Sequence, residues 1–383
     1  SHERGAPLAV AGGLLRARLI HVLRISRMNV EVRPAAELSS AHLQQWHALR
    51  NANPELASPY FHPELTAACG RAYGDVEVAV ISESGDAIGF FPFHRRRFGF
   101  GRPVGDRLSD YHGIIAESGA RFDARKLLRA CKLKVLPFDH LLASQSTFQP
   151  HAQVETESPI IDLRRGFEAY LAERKQSGSK RITQLQRKAR KMDREVGPLR
   201  LQMHDADPAV LDAIIRWKSE QCRRTGVYDF FADEAPVRLV RDIASTRVDG
   251  FEGLVSVLYA GDTIAAAHMG MRSGEILHWW FPTYEHALSK YSPGGVLLLK
   301  LAEQAAAAGV TTLDLGKGED PYKDSFKTGA VALIEGVVDV PSAPALIRRS
   351  RIGAERWLRS STFMEPVRRA VRAVRNTAAR RAS

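Results

Sequence analysis

The sequence predicts an α/β (α+β) chain in two successive halves, each built on a mixed central sheet. Three observations carry this prediction. Short apolar strands and hairpins alternate with amphipathic helices from residue 29 to residue 338. The composition, 44% hydrophobic and 26% charged, is that of an ordinary soluble protein. At 383 residues the chain is long enough for two or three domains with full cores.

In the first half, Val30–Val32 reads as a short strand. A helix capped by Ser40 runs through Trp46 and Leu49, and "HPELTAACGRAY" forms another. "VEVAVIS" (76–82) and "AIGFFPFHR" (87–95) make a hairpin across Glu83–Asp86. "SDYHGIIAE" leads into a strand, "ARKLLRACKLK" is helical and "VLPFDHLLA" is a strand.

A second set follows "ETESPIIDL". Gly166–Glu195 reads as helical and basic, with nine Lys or Arg against Asp193 alone between Arg174 and Arg194. After the strand "LRLQMHD" come helices over Pro208–Arg224 and Asp233–Ser245. Strands Leu254–Tyr259, Thr263–Met271 and Ile276–Phe281 are next, then a long helix opening at "SPGG". The strand "TTLDLG", a short helix around Pro321–Phe326 and a last strand, Val331–Val338, complete the set. The expected segments are a basic extension (1–27), a first domain (28–155), a second domain (156–341) and a basic amphipathic tail (342–383).

The net charge of +12 suggests nucleic acid until it is located. Residues 342–383 hold eleven Arg against two Glu, and residues 1–27 hold five Arg against Glu3. The body between them is close to neutral, so no nucleic-acid partner is expected. Cys69, Cys131 and Cys222 are scattered, with no C-x-x-C, which argues for a reducing, cytoplasmic compartment. The apolar stretch before Met28 is too short, and too interrupted by Arg16, Arg18 and Arg24, to span a bilayer. It has no small-x-small cleavage site, so no signal peptide is expected. In the tail, Phe363, Met364, Val367, Ala370, Val371 and Val374 recur at helical spacing among arginines. Such a helix either lies on an anionic membrane surface, here the inner face, or docks on the body. No His/Glu cluster has metal-ligand spacing and no G-x-S-x-G is present, so neither a metal nor serine-hydrolase chemistry is expected.

The SPGG helix start is the sharpest local anomaly. Ser292 is a good N-cap and Pro293 a good first helical residue. Gly294 and Gly295 each cost about 1 kcal/mol against alanine. Two readings are open: bare amides at a positive helix end that hold a phosphate or pyrophosphate, or tight packing of the helix start.

The order β-α-α-β-β-β-α-β-α-β, with a phosphate-competent helix after its fourth strand, resembles that of the GNAT acyltransferases. "KYSPGG", "LDLGKGEDPYKDSFKTG" and "LSDYHGIIAE" resemble the Fem-related, CelD-type branch, bacterial proteins associated with cellulose and other envelope polysaccharide biosynthesis. The resemblance covers roughly residues 30–340, and the first half looks like a degraded copy without the Gly-rich helix start. It therefore implies two tandem GNAT-like domains. The Arg/Gln-x-x-Gly-x-Gly/Ala loop of many GNATs is absent, and SPGG stands in its place.

This resemblance implies acetyl-CoA or a longer acyl-CoA as co-substrate and no metal. The thioester would lie in the gap between "ILHWWFP" and "TTLDLG", with the pyrophosphate on Ser292, Pro293, Gly294 and Gly295. Amine acylation needs a base for the acceptor and an acid for the leaving thiolate. Asp314 and His268 are the candidate bases, and Tyr322 sits where GNATs place the acid. Lys323 would orient an anionic acceptor or the cofactor. Plainer readings stay open: Asp314 as a cap of the loop "GKGEDPY", and His268 with His278 as a hydrogen-bonded sheet pair. Of Trp279 and Trp280 one is core and the other lines an acceptor cleft. Asp110, Tyr111 and His112 either line the cleft between the lobes or form a turn. The basic helix is either a solvated face or a contact for an anionic partner. The expected activity is acyl transfer to an envelope glycan, with a lipid amine such as a sphingoid base as the alternative acceptor. Fem-like aminoacyl transfer from tRNA is disfavoured by the neutral body. A non-catalytic accessory protein of polysaccharide biosynthesis is the reading outside enzymes.

Overall fold

A computed structural model describes residues 28–342 except 206, 319 and 320. The basic extension and, beyond Ser342, the amphipathic tail lie outside the described residues. Strands β1 (Met28–Pro34), β2 (Val76–Glu83), β3 (Asp86–Arg95) and β4 (Gly101–Pro103) form an antiparallel sheet in that order. The two-residue β5 (Ile115–Ala116) pairs with β3. Helices α1 (Ser40–Ala52) and α2 (Pro63–Tyr73) pack on one face. The cap of α1 is Ser39 rather than Ser40. Its Oγ accepts from the His42 amide at 3.2 Å while His42 Nδ1 accepts from the Ser39 amide at 3.3 Å, a reciprocal capping box. Trp46, wholly buried, stacks on Phe90 and donates Nε1–H to the Phe61 carbonyl at 2.9 Å.

The second sheet is larger. Its order is β6 (Val135–Leu142), β14 (Gly329–Asp339), β7 (Ala152–Asp162), β13 (Thr312–Asp314), β12 (Ile276–Tyr284), β11 (Thr263–Ser273), β10 (Phe251–Ala260) and β8 (Leu199–Met203). The short β9 (Arg247–Val248) adds to β10. The mixed α/β class holds, and β12 with β13 is the parallel ladder of this sheet among the described residues. One expectation is corrected in detail: "VLPFDHLLA", assigned to the first half, is β6 and closes the edge of the second sheet against β14. Helix α3 (Ala124–Ala130) covers the junction, where Phe91, Phe93, Leu127, Phe138 and Ile334 share one core.

The expected single basic helix is two, α4 (Phe167–Gln176) and α5 (Arg181–Glu195). Gly178, at φ 76°, takes the left-handed conformation that interrupts them. Together with α8 (Pro293–Ala307) they cover one face of the second sheet, burying Leu171, Ile182, Leu185, Leu297 and Leu301 against Leu254, Leu277 and Trp279. The opposite face carries α6 (Pro208–Thr225) and α7 (Glu234–Ser245). There Val255, Met269, Phe281 and Trp280 share a core with Trp46, Leu65 and Phe90, so apolar packing joins the halves.

A bulge interrupts β12 at its aromatic pair. Met269 pairs with Phe281 and Met271 with His278, so Trp279 and Trp280 together oppose Gly270. Trp279 enters the core under α8 and Trp280 the core shared with the first half. A Cβ at position 270 would lie 2.4 Å from His268 Cε1 and 2.5 Å from the His278 carbonyl oxygen. The carbonyl belongs to the ladder and cannot yield locally. Gly270→Ala should therefore destabilise the fold by about 1–3 kcal/mol, read as a lower urea midpoint at unchanged slope. An alanine variant as stable as the parent would show that the bulge does not depend on a bare backbone.

Candidate active site

Strands β12 and β13 pair through three residues, Ile276 with Thr312, Leu277 with Leu313 and His278 with Asp314. Beyond them β12 continues to Tyr284, while the other chain leaves the ladder and turns at Gly316, φ 70°. The strands thus separate where the sequence places the gap. A cavity of ≈ 280 Å³ opens there, walled by Trp279, Pro282, Tyr284, the Ser292–Gly295 turn and Tyr322, with Arg181 and Lys218 at its margin.

The SPGG turn answers both of its readings, one per glycine. A Cβ on Gly294 would meet only Tyr284 Cδ1, at an ordinary 3.5 Å, so the backbone there is open to the cavity. A Cβ on Gly295 would come within 2.8 Å of Leu185 Cδ2, so this glycine lets α5 approach α8. The N-cap expectation is corrected. Ser292 is left-handed, φ 54° and ψ 52°, and its side chain does not cap. Its Oγ accepts instead from Lys188 Nζ at 2.7 Å. The bare face of basic α5 therefore turns one ammonium and the Arg181 guanidinium toward the positive end of α8, which suits an anion.

At the fork of the two strands sits a buried charge cluster. His278 Nε2 lies 2.9 Å from Asp110 Oδ2, and its Nδ1 lies 3.7 Å from Asp314 Oδ1. Burial alone lowers the His278 pKa, but the two carboxylates outweigh it and raise it to about 9. Asp314 responds in kind: burial raises its pKa, and the His278 imidazolium brings it below the usual carboxylate range. Asp314 Oδ1 also accepts from Ser158 Oγ at 2.8 Å and from the Gly316 amide at 2.9 Å. Asp314 is thus the cap of the loop that leaves β13 as well as a counter-ion, and a carboxylate held in its charged form is a weak proton acceptor. Tyr60 packs edge-on to His278 at 4.9 Å, and burial pushes the phenols of Tyr60 and Tyr111 well above 10.

The remaining predicted residues fall in different places. His268 is wholly buried and stacks on Trp279 at 4.2 Å, with neither ring nitrogen hydrogen-bonded. Burial depresses its pKa to about 3, and it does not line the cavity. The expected His268–His278 hydrogen-bonded pair is not formed, because His278 turns to the carboxylates. Lys323 is buried and donates to the carbonyls of Gly316 and Lys317 at 2.9 and 3.1 Å, which buttresses the same loop. Trp279 lines the cavity, whereas Trp280 is core and donates to the Leu108 carbonyl at 2.8 Å.

His112 does not face the gap. Its amide donates to the His140 carbonyl at 2.8 Å and its carbonyl accepts from the Leu142 amide, so the loop lies along β6. There His112 Nε2 and His140 Nδ1 each lie 3.0 Å from Asp139 Oδ1. His140 Nε2 is 3.5 Å from Asp110 Oδ1, which links this group to the fork. Sequence spacing missed Asp139, His140, Tyr60, Lys188 and the central place of His278. A signal existed for the first two: adjacent polar residues inside the apolar run "VLPFDHLLA" break the alternation of a plain strand.

Residues 179–324 match the family described as "Acetyltransferase (GNAT) domain". The chain carries a GNAT acetyltransferase domain. The matched GNAT segment runs from the start of α5 into α9 (Pro321–Phe326) and contains the SPGG turn, the fork and Tyr322. FemX superposes with a TM-score of 0.55 at 9% identity, over 83% of this chain and 99% of that one. The C-terminal domain of a putative lysylphosphatidylglycerol synthetase from Agrobacterium fabrum gives 0.50 at 12% identity, over 84% and 98%. At such identities the likeness is one of fold, and it spans more of the chain than the matched segment does. No curated protein sequence matches the chain. No helix among the described residues is long and apolar enough to cross a membrane.

The raised His278 pKa has a sign that can be checked. Its stabilising charge pairing is fully present below the unfolded value of 6.5 and is lost as pH rises through about 9. Melting temperature should therefore fall between pH 6.5 and 9, and Asp314→Asn, already less stable at pH 6.5, should flatten that fall. An equal slope in both proteins would place the titrating group elsewhere.

Proposed function

We propose that the protein transfers an acyl group from acyl-CoA, acetyl or longer, to an amine on a cell-envelope polysaccharide or its precursor. The observation that carries the donor half is the open Gly294 backbone at the mouth of the cavity, under Arg181 and Lys218. A pyrophosphate there meets a helix N-terminus and fixed cations, and the thioester reaches the unpaired stretch of β12 beyond His278. Tyr322, on the cavity wall, protonates the departing thiolate. Asp314, Lys323 and His278 hold the fork in shape and are positioning residues. His268 stiffens Trp279 by stacking and is not the base. The acceptor amine gives up its proton to solvent, from which the Tyr322 phenolate is reprotonated.

Support for a polar acceptor comes from a second cleft of ≈ 430 Å³ beside the 316–318 loop. Glu155, Glu157, Glu335, Lys317 and Lys327 line it, and a hydroxyl-rich glycan satisfies such groups. The alkyl chain of a sphingoid base would strip water from the Lys317–Glu335 and Lys327–Glu157 ion pairs and offer no hydrogen bond in return. Residues 28–155 and 156–341 act in this reading as two domains around the fork, the first supplying Asp110 and Tyr111. The reaction runs on the cytoplasmic side, where acyl-CoA is available, with the basic tail at the membrane surface.

Calorimetry with acetyl-CoA and a long-chain acyl-CoA tests the donor. Gly294→Val should weaken acyl-CoA binding at least about tenfold with melting unchanged, because the added methyls cover the open amide and touch only Tyr284. Unchanged affinity in the folded variant would remove this turn from the site, and no binding of either thioester by the parent would favour the accessory reading. Tyr322→Phe should bind acyl-CoA normally while kcat falls roughly 10²-fold. Full turnover would leave Tyr322 a wall residue.

A further inference from the structure

We propose that His112, Asp139 and His140 form a divalent transition-metal site of the zinc class, with a coordination position open to solvent. Their three ligand atoms lie within 4.8 Å of one another. Both nitrogens stand 3.0 Å from the same carboxylate oxygen, against about 3.4 Å between ligands of a tetrahedral ion at 2.0–2.1 Å. A small inward or outward breathing of three side chains therefore suffices to admit the ion.

The backbone is built for this convergence. On β14 a single residue, Glu335, separates Ile334 from Gly336, while their partners Leu141 and Phe138 on β6 are separated by both Asp139 and His140. This bulge turns two successive side chains to one side of a strand that would otherwise alternate them. The bridge from His112 to Leu141 then sets the third ligand beside them.

One atom is left unexplained without an ion. His140 Nδ1 is buried and lies 3.0 Å from Asp139 Oδ1, yet the contact lacks hydrogen-bond geometry and the nitrogen has no other partner. A lone pair aimed into the cluster but not along a hydrogen bond is what a ligand presents. Its far nitrogen faces Asp110 Oδ1 at 3.5 Å, the carboxylate–histidine arrangement that orients a metal-bound imidazole. Lys317, whose Nζ donates to the Asp139 carbonyl at 2.7 Å, is neutralised by Glu335 and does not repel a cation from the carboxylate. The Asp139 side chain is 58% exposed, so water completes the shell and the ion has an entry path.

The test uses the full chain after chelation and dialysis, titrated with Zn²⁺ in a calorimeter and with Co²⁺ in a visible spectrophotometer. One equivalent of each should bind, and Co²⁺ should give the intense bands of low coordination number. Asp139→Asn and His140→Gln should lose that equivalent while acetyl-CoA affinity, measured in the same samples, stays unchanged. Asp139 is exposed, so its amide variant keeps the fold and guards against misreading an unfolded sample. Absence of stoichiometric uptake by the parent would overturn the proposal. So would retention of the bound equivalent in the folded Asp139→Asn protein, which would place the ion on other histidines of the chain.

Discussion

One imidazole, held between two carboxylates in the protein interior, fixes the point at which β12 and β13 part. His278 is the last β12 residue to pair with β13, and Asp314 is its partner across that last rung. Asp110 arrives from the first half and reaches the other nitrogen of the same ring. Burying one charge is costly; here His278 and Asp314 are buried as an opposite pair, and Asp110 joins them from a partly exposed position. Ser158 and the Gly316 amide supply the remaining bonds to Asp314, and Lys323 steadies the turn that follows. The gap is thus a consequence of where the charge cluster ends the ladder, and the halves are locked together by the same cluster.

The two sides of the fork carry different chemistry. Under α8 lie Trp279, the SPGG turn and the cations of α5 and α6, a surface suited to a phosphorylated donor. Under the first half lie Tyr60, Tyr111, Trp280 and His278, closed to solvent and tightly packed. Neighbouring positions on β12 send the two tryptophans to these opposite sides, one to the wall of the cavity and one to the core.

Much of this was legible in the sequence, and what was not has physical reasons. Periodicity located most strands and helices, because most bury one face against a continuous core; β7 was not assigned, since its first half is polar and exposed and Pro159 interrupts it. The SPGG turn stood out because two glycines violate helix propensity, and local cost without local benefit points to function or close approach. Here Gly295 answers to close approach by Leu185, and Gly294 leaves its backbone open to the cavity. The break at Gly178 was overridden by the basic, helix-like run around it. Ser292 looked like a cap because serine caps helices, but its left-handed backbone and the Lys188 contact are set by α5, more than a hundred residues away. The role of His278 depends on Asp110, 168 positions distant in sequence, and no local pattern carries that pairing. "FDH" in β6 was readable as a broken alternation, yet only the bulge shows why both side chains share a side.

The position of β6 has a consequence for how the chain holds together. This strand precedes β7 in sequence, lies outside the segment that defines the GNAT domain, and still forms the outer rung beside β14. A fragment starting at β7 would leave β14 with one whole row of amides and carbonyls exposed, flanked by Leu333, Ile334 and Val338, which are buried in the intact chain. Such an edge is a template for pairing with another molecule. The second half is therefore not an autonomous module: each half completes the other's sheet or core.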